Sequence, residues 1–269
     1  MKSELDEQVN RYRRGRTALR LARRAIGPLV LLVLWQIGSS TGFISERTLA
    51  GPGTVVTTFG DLVSSGKLAE HLTVSLHRVG VGLLVGLSAG TVLALAAGLS
   101  RLGEDLIDPV LQMLRTLPVL ALVPLFILWF GIGETPKVLL VALATAFPVY
   151  LNTFAGIRGV DQRLVEAAGT LGLGRAGLVR HVVLPGALPG FLVGLRYSLG
   201  IAWLVLVVSE QINASSGLGY LMTQAREFMR TDIIVVGLVV YATLGLLSDL
   251  AVRALERAAL SWRPSFAGA

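Results

Sequence analysis

The sequence has no cysteine, only three histidines and few charges, and each shortage closes off a class of function. Without cysteine there is neither a disulfide framework nor a thiolate metal site. His71, His77 and His181 are scattered, which is poor stock for a metal centre, a proton relay or the clustered acids and histidines of a membrane enzyme. Charged residues make up 15% of 269 positions, where a soluble domain of this length carries about a quarter. Hydrophobic residues reach 53%, and the mean hydropathy is +0.70. Such a chain is too apolar to cover itself with water-facing surface, so lipid is the missing solvent.

What is abundant is long stretches without Asp, Glu, Lys or Arg. They run from Ala25 to Ser45, Val79 to Ser100, Thr116 to Gly133 and Val138 to Ile157. Two less clean runs are Val182 to Ser209, interrupted by Arg196, and Ile233 to Ser248. A bilayer core takes roughly 20 apolar residues as helix, and backbone in lipid must satisfy its own hydrogen bonds. The expected fold is therefore all-α and polytopic, with about six transmembrane spans near 26–42, 74–99, 108–131, 137–157, 187–209 and 232–252. Domain organisation follows: a basic N-terminal segment over 1–25, then one transmembrane domain over 26–269.

The net charge of +7 suggests nucleic acid at first sight, but the basic residues follow membrane topology instead. Eight precede the first span, Lys2 and Arg11, Arg13, Arg14, Arg16, Arg20, Arg23 and Arg24. Four lie between spans four and five (Arg158, Arg163, Arg175, Arg180), one at Arg101, and three in the tail (Arg253, Arg257, Arg263). The other side has only Arg47, Lys67, Lys137, Arg226 and Arg230. By the positive-inside rule both termini are expected in the cytoplasm, with the protein multi-pass in the cytoplasmic (inner) cell membrane. The leader is read as a juxtamembrane segment touching anionic lipid, with no nucleic acid partner. No good small-residue cleavage site follows span one, which is expected to remain as an uncleaved helix.

Span two carries Gly82, Gly86, Gly90, Ala94 and Gly98, small residues at every fourth place that line one helical face and admit another backbone. This pattern fits a packing seam beside a transport path, or ordinary helix packing. Pro118, Pro124 and Pro148 lie inside spans three and four and bend or break helices. Among charges within or ending spans, Arg115, Arg196 and Glu210 are candidates for a solute path. The arginines there either screen an anion, snorkel to the headgroups or form structural ion pairs.

The connection from Arg158 to Pro185 is not a passive linker. Asp161 is a good N-cap, Leu164, Ala168 and Leu171 recur about one turn apart, and Gly172 and Gly174 follow as C-cap glycines. A second short helix over 175–183 should follow, stopped by Leu184-Pro185. A short exposed helix with an apolar stripe needs something to pack against, which implies a cytoplasmic partner.

Glu166-Ala167-Ala168, three residues, Gly172, nine residues, Val182, one residue and Leu184-Pro185 resemble the EAA loop of ABC-importer permeases, with Val for the usual Ile at 182. The resemblance covers the core from 72 to 255, with the loop at 158–186, and includes Ser75-Leu76-His77-Arg78. Met113-Leu114-Arg115-Thr116-Leu117-Pro118, Leu128-Trp129-Phe130-Gly131-Ile132, Leu184 to Pro189 and Ser216 to Tyr220 resemble the sulfonate, taurine and nitrate branch. Within it, the last two spans are most similar to aliphatic-sulfonate permeases. The resemblance implies a type I importer permease fold, with Leu164, Glu166, Ala167, Ala168, Leu171, Gly172, Val182, Leu184 and Pro185 in the coupling loop. It also implies partners: two copies of an ABC ATPase subunit that bind ATP and Mg, a second permease copy as a homodimer, and an extracytoplasmic substrate-binding protein. No cofactor is expected in this chain, and it is not itself an enzyme.

Two motif matches point elsewhere. Gly172-x-Gly174-x-x-Gly177 fits a dinucleotide fingerprint by letter but is expected after a helix, not a strand. Gly66-Lys67 lacks the first Gly and the Ser or Thr of a P-loop. The rival class is an ion-gradient-driven secondary transporter, which calls for midplane acids and paired repeats. Here the acids lie at span ends and the spans show no two-fold repeat.

Overall fold

The computed structural model describes residues 26–27 and 29–261. The basic segment 1–25 and Arg263 of the tail therefore lie outside the described residues. The helices are α1 (Leu29–Ser40), α2 (Pro52–Ser64), α3 (Lys67–Gly98), α4 (Arg101–Leu114), α5 (Val123–Phe130), α6 (Glu134–Arg158), α7 (Gln162–Thr170), α8 (Arg175–Leu178), α9 (Leu184–Asn213), α10 (Leu218–Glu227) and α11 (Thr231–Ala259). Among the described residues there is no strand.

Four stretches are long and apolar enough to cross a membrane: α3, α6, the continuous Arg175–Ile212 and α11. The expected third span, 108–131, is instead two helical pieces, Arg101–Leu114 and Val119–Phe130, bent by 83°. Pro118 causes the break: it has no N–H to donate, and it sits extended at φ −67° and ψ 108° ahead of a 3₁₀ turn over Val119–Leu122. Pro124 then opens α5, where a missing N–H does no harm. The first expected span, 26–42, is described as the shorter apolar helix Leu29–Ser40, with 26–27 also helical. Among the described residues, four helices are long and apolar enough to cross a membrane, or five if the bent pair counts as one span, with Leu29–Ser40 as a further, shorter apolar helix.

The chain forms two compact units, Met1–Ser64 with Ala225–Val236, and Ser65–Gln224 with Gly237–Ala269. In the first, the stretch taken from sequence as an external connection holds α2. Pro52 starts that helix, and Val55, Thr58 and Leu62 bury one face at helical spacing. Thr58 Oγ1 donates to Asp232 Oδ2 at 2.7 Å, and Arg230 clamps the same carboxylate at 2.7 Å.

The second unit is organised around α6. The small face of α3 lies on it with the two helices running parallel: Gly82 meets Val141, Gly86 meets Ala142 and Thr145, Gly90 meets Ala146, and Gly98 meets Ile157. A Cβ built on Gly90 falls 2.5 Å from the Ala146 carbonyl oxygen, and one on Gly82 falls 2.6 Å from Val141 Cγ1. Ala94 is fully buried beside Ala97 and Tyr150. On its other side α6 receives α9, antiparallel, through Gly156 against Ala187, Gly190 against Asn152, and Gly194 against Val149. Ser198 Oγ donates to the Thr145 carbonyl at 2.7 Å, beside the turn that Pro148 deprives of an N–H. Lipid offers no hydrophobic drive for helices to associate, so this contact rests on close van der Waals approach and a few buried hydrogen bonds.

A side chain at Gly90 meets backbone, which cannot swing aside. Gly90→Val is therefore expected to destabilise the detergent-purified protein by about 1–3 kcal/mol, read as a lower unfolding temperature. Gly80→Val, where nothing lies within 4 Å, is expected to leave that temperature unchanged. Equal effects at both positions refute the seam.

Candidate functional site

The connection between α6 and α9 builds a projecting helix from local signals. Asp161 Oδ1 accepts from the Arg163 N–H at 2.9 Å and caps α7. At its other end the Leu173 N–H reaches the Ala168 carbonyl at 3.1 Å and the Gly172 N–H reaches that of Gly169 at 3.0 Å. This pair of bonds is a Schellman closure, and it puts Gly172 at φ +83°, a conformation that suits glycine. α7 thus stops where the glycine makes it stop. Gly174 then caps α8. Gly172, Gly174 and Gly177 accordingly sit in a helix–turn–helix, and Gly66-Lys67 begins α3, with no strand beside either among the described residues.

The faces of α7 are divided. Leu164 and Leu171 are 58% and 82% exposed, and Glu166, Ala167 and Gly172 are exposed with them. Ala168 is buried at 6%. The expectation that Ala168 belongs to an outward docking surface is corrected: it packs within its own chain, where α7 rests on α8 and the turn beyond.

Leu184-Pro185 does not stop the second short helix, as expected from sequence. The chain passes from α8 through a π-turn over Val179–Val183 straight into α9, and Val182 and Leu184 sit within this continuous rod. The widened π-turn accommodates a proline that otherwise clashes with the carbonyl four residues back. The rod's base is locked to the core by Ile157, Val183 and Ala187, with Leu95, Val160 and Leu178 packed around them. Arg158 pairs with Glu104 of α4. α7 itself rests on α8 and the π-turn at the foot of this rod.

At the opposite end of α6 lies a buried charge cluster. Arg78 of α3 is fully buried; its Nη1 donates to Glu210 Oε1 at 2.7 Å and its Nε to Glu134 Oε2 at 2.5 Å. Nη1 also reaches the Ser216 carbonyl at 2.7 Å. Glu210, 1% exposed, takes further hydrogen bonds from Ser75 Oγ at 2.8 Å, the Gly219 N–H at 2.8 Å and Tyr241 Oη at 3.4 Å. Ser75 Oγ in turn accepts from the Leu218 N–H at 2.9 Å. These bonds hold the turn after α9 and the start of α10.

The three candidate path residues part company. Glu210, expected beside a path, is enclosed in this cluster because a buried arginine needs a counter-charge. Arg196 is held by α11, with Nη2 2.5 Å from Glu256 Oε2 and Nε 3.4 Å from Asp249 Oδ1, which is the structural ion pair among the sequence alternatives. Arg115 makes no side-chain hydrogen bond or ion pair with a described residue, and it lines a cleft of about 450 Å³ with Pro148, Leu151, Ile201 and Leu204. From sequence Arg78 figured only in the stretch Ser75-Leu76-His77-Arg78; its place inside the expected span 74–99 was itself the signal for a buried partner.

Removing one member of a buried pair leaves an uncompensated charge. Glu210→Ala is expected to lower stability by about 3–5 kcal/mol, measured by thermal unfolding in detergent. Glu134→Ala should cost much less, because the Glu134 side chain is 60% exposed and water replaces it. Equal losses contradict the central place given to Glu210.

Comparison with known proteins agrees with this architecture. The chain is 50% identical over 239 residues to the aliphatic-sulfonate transport permease protein SsuC as named in Escherichia coli (strain K12), spanning 89% of this chain and 91% of that one. It is 47% identical over 241 residues to the SsuC of Bacillus subtilis (strain 168), at 90% and 87%. It is 38% identical over 244 residues to the taurine transport system permease protein TauC of E. coli, at 88% and 89%. Among solved structures, an amino acid ABC transporter crystallised with histidines shares the fold at a TM-score of 0.62 and 21% identity, over 74% of this chain and 97% of that one. The family profile described as binding-protein-dependent transport system inner membrane component matches residues 82–260. This multi-pass membrane chain, with its α7 loop and α6-centred core, belongs to that family of transport permeases.

Proposed function

We propose that this chain is the permease subunit of an ATP-driven importer in the inner cell membrane, translocating a small anionic solute, an aliphatic sulfonate. A separate ATPase binds ATP and Mg, a second copy of the chain completes the pathway, and an extracytoplasmic protein delivers the solute. The observation that carries the coupling role is the exposed apolar face of α7, Leu164, Ala167 and Leu171, on a helix that rests against the foot of the rod leading into the core. Leucine at 58% and 82% exposure on a short capped helix is a surface in want of a groove. Glu166 and Gly172 border it, one offering a carboxylate and the other close approach. The choice of solute rests on the two relatives named for aliphatic sulfonates being more similar than the one named for taurine.

ATP favours one arrangement of the ATPases over the other, and that difference in binding free energy moves the α7 helices. The rigid base carries the motion to α3, α6 and α9. Both termini and α7 lie on the cytoplasmic side in this scheme. A single cysteine at Leu171 in this Cys-free chain should then resist an impermeant thiol reagent in intact cells, while one at Phe228 should react.

The docking test uses Leu164→Glu and Leu171→Glu. Burying an unpaired charge weakens a contact by several kcal/mol, so the ATPase should no longer co-purify, while membrane insertion and thermal stability of the permease stay unchanged. Ala168→Glu, by contrast, should destabilise the permease itself, since Ala168 is buried within the chain. Full co-purification and stimulated ATP hydrolysis in both leucine variants would falsify the docking assignment and return the secondary-transporter alternative to consideration.

A further inference from the structure

Three arginines lie within the apolar spans read from the sequence, and two of them are neutralised in the chain. Arg78 has Glu134 and Glu210, and Arg196 has Asp249 and Glu256. Arg115 has neither an ion pair nor a side-chain hydrogen bond with any described residue, and its side chain is exposed. It lines a cleft whose other walls are apolar: Phe147 and Leu151 of α6, Ile201 and Leu204 of α9, and Leu120 of the turn after Pro118. Phe147 sits at the middle of α6 and Leu151 one turn on, in a helix of 25 residues or about 37 Å, so if α6 spans the bilayer these walls lie within its apolar part. An arginine at such depth is unfavourable by about 2.5–3.5 kcal/mol on insertion scales unless it meets water or a counter-charge. The break at Pro118 is what turns Arg115 and Leu120 onto the α6–α9 face.

We propose that this cleft is a transient site for a monoanion bearing a short alkyl tail, with Arg115 screening the head and Phe147, Leu151, Ile201 and Leu204 receiving the tail. The inference rests on the reading of the chain as a permease for small organic anions and adds a selectivity element inside the membrane subunit. One unpaired guanidinium at the edge of an apolar cleft complements an amphiphile of opposite charge. It complements an inorganic anion poorly, because the apolar walls contribute nothing to it, and a neutral alkane poorly, because Arg115 stays unpaired. A single cation without further donors also fits a transport step, where the solute must leave again.

The absence of native cysteine makes the site directly testable. Leu204→Cys and, separately, Ile201→Cys are placed in the permease bound to its ATPase and reacted with a neutral thiol reagent, with pentanesulfonate, pentanol or inorganic sulfate as competitor. Pentanesulfonate at millimolar concentration is expected to slow labelling at least threefold at both positions. Pentanol and sulfate should do so by less than half as much, and Arg115→Gln should abolish the difference between pentanesulfonate and pentanol. Equal protection by pentanol identifies a groove for lipid chains and overturns the proposal, as does no protection by any competitor at either position. Uptake of the same sulfonate by the reconstituted wild-type complex is measured alongside. Protection without uptake keeps the site and rejects the sulfonate-importer reading, whereas uptake without protection keeps that reading and rejects the site.

Discussion

The close approach of α3 and α9 to the two sides of α6 is the constraint on which the rest of the core depends. In lipid, helices gain nothing by hiding apolar surface from one another, so contact must come from backbone-to-backbone packing. Gly86 and Gly90 supply it on one side and Gly190 and Gly194 on the other, while Gly82 and Gly98 make room for the Val141 and Ile157 side chains. Packing this tight ties the three helices together along α6, and different structures are attached to its two ends.

Two different attachments occupy those ends. At one, α7 rests on α8 and the π-turn, at the foot of the rod that Val160, Leu178, Val183 and Ala187 fix to the core, and carries exposed leucines outward. At the other, Arg78 gathers Glu210, Glu134 and the Ser216 carbonyl, pinning the turn that leads into α10. In the proposed scheme, a push received at α7 reaches that turn through the packed helices α6 and α9. A buried ion pair at such a joint is weak evidence for stability as such. Its geometric effect is plainer: it fixes where α3, α6 and α9 end relative to one another.

Much of this was legible in the sequence, where the determinants are local. Asp161 and Gly172 set the bounds of α7 because capping bonds involve neighbours within a turn. The fourfold spacing of glycines in α3 announced a close contact, though not which helix it met. Other features depend on contacts distant in the chain and were misread or missed. The apolar stripe of α7 gave no means to tell that Ala168 turns to its own chain while Leu164 and Leu171 turn out. Pro118 signalled a break, but not that the two pieces would stand at 83° to one another. Arg78 and Glu210 lie 132 residues apart, and only the rule that a buried charge needs a partner links them. The helix α2 was overlooked because its signals, Pro52 followed by Val55, Thr58 and Leu62, sat in a stretch read as a connection.

The central claim is that this chain translocates only when a separate ATPase works on its α7 loop. The most direct measurement is solute accumulation in sealed vesicles holding the purified chain, its ATPase and the delivering protein, with labelled alkanesulfonate and ATP or an imposed ion gradient as alternative energy sources. The account predicts accumulation with ATP in the complete assembly, and none with a proton or sodium gradient or when the ATPase is omitted. Gradient-driven accumulation by the chain alone would contradict it.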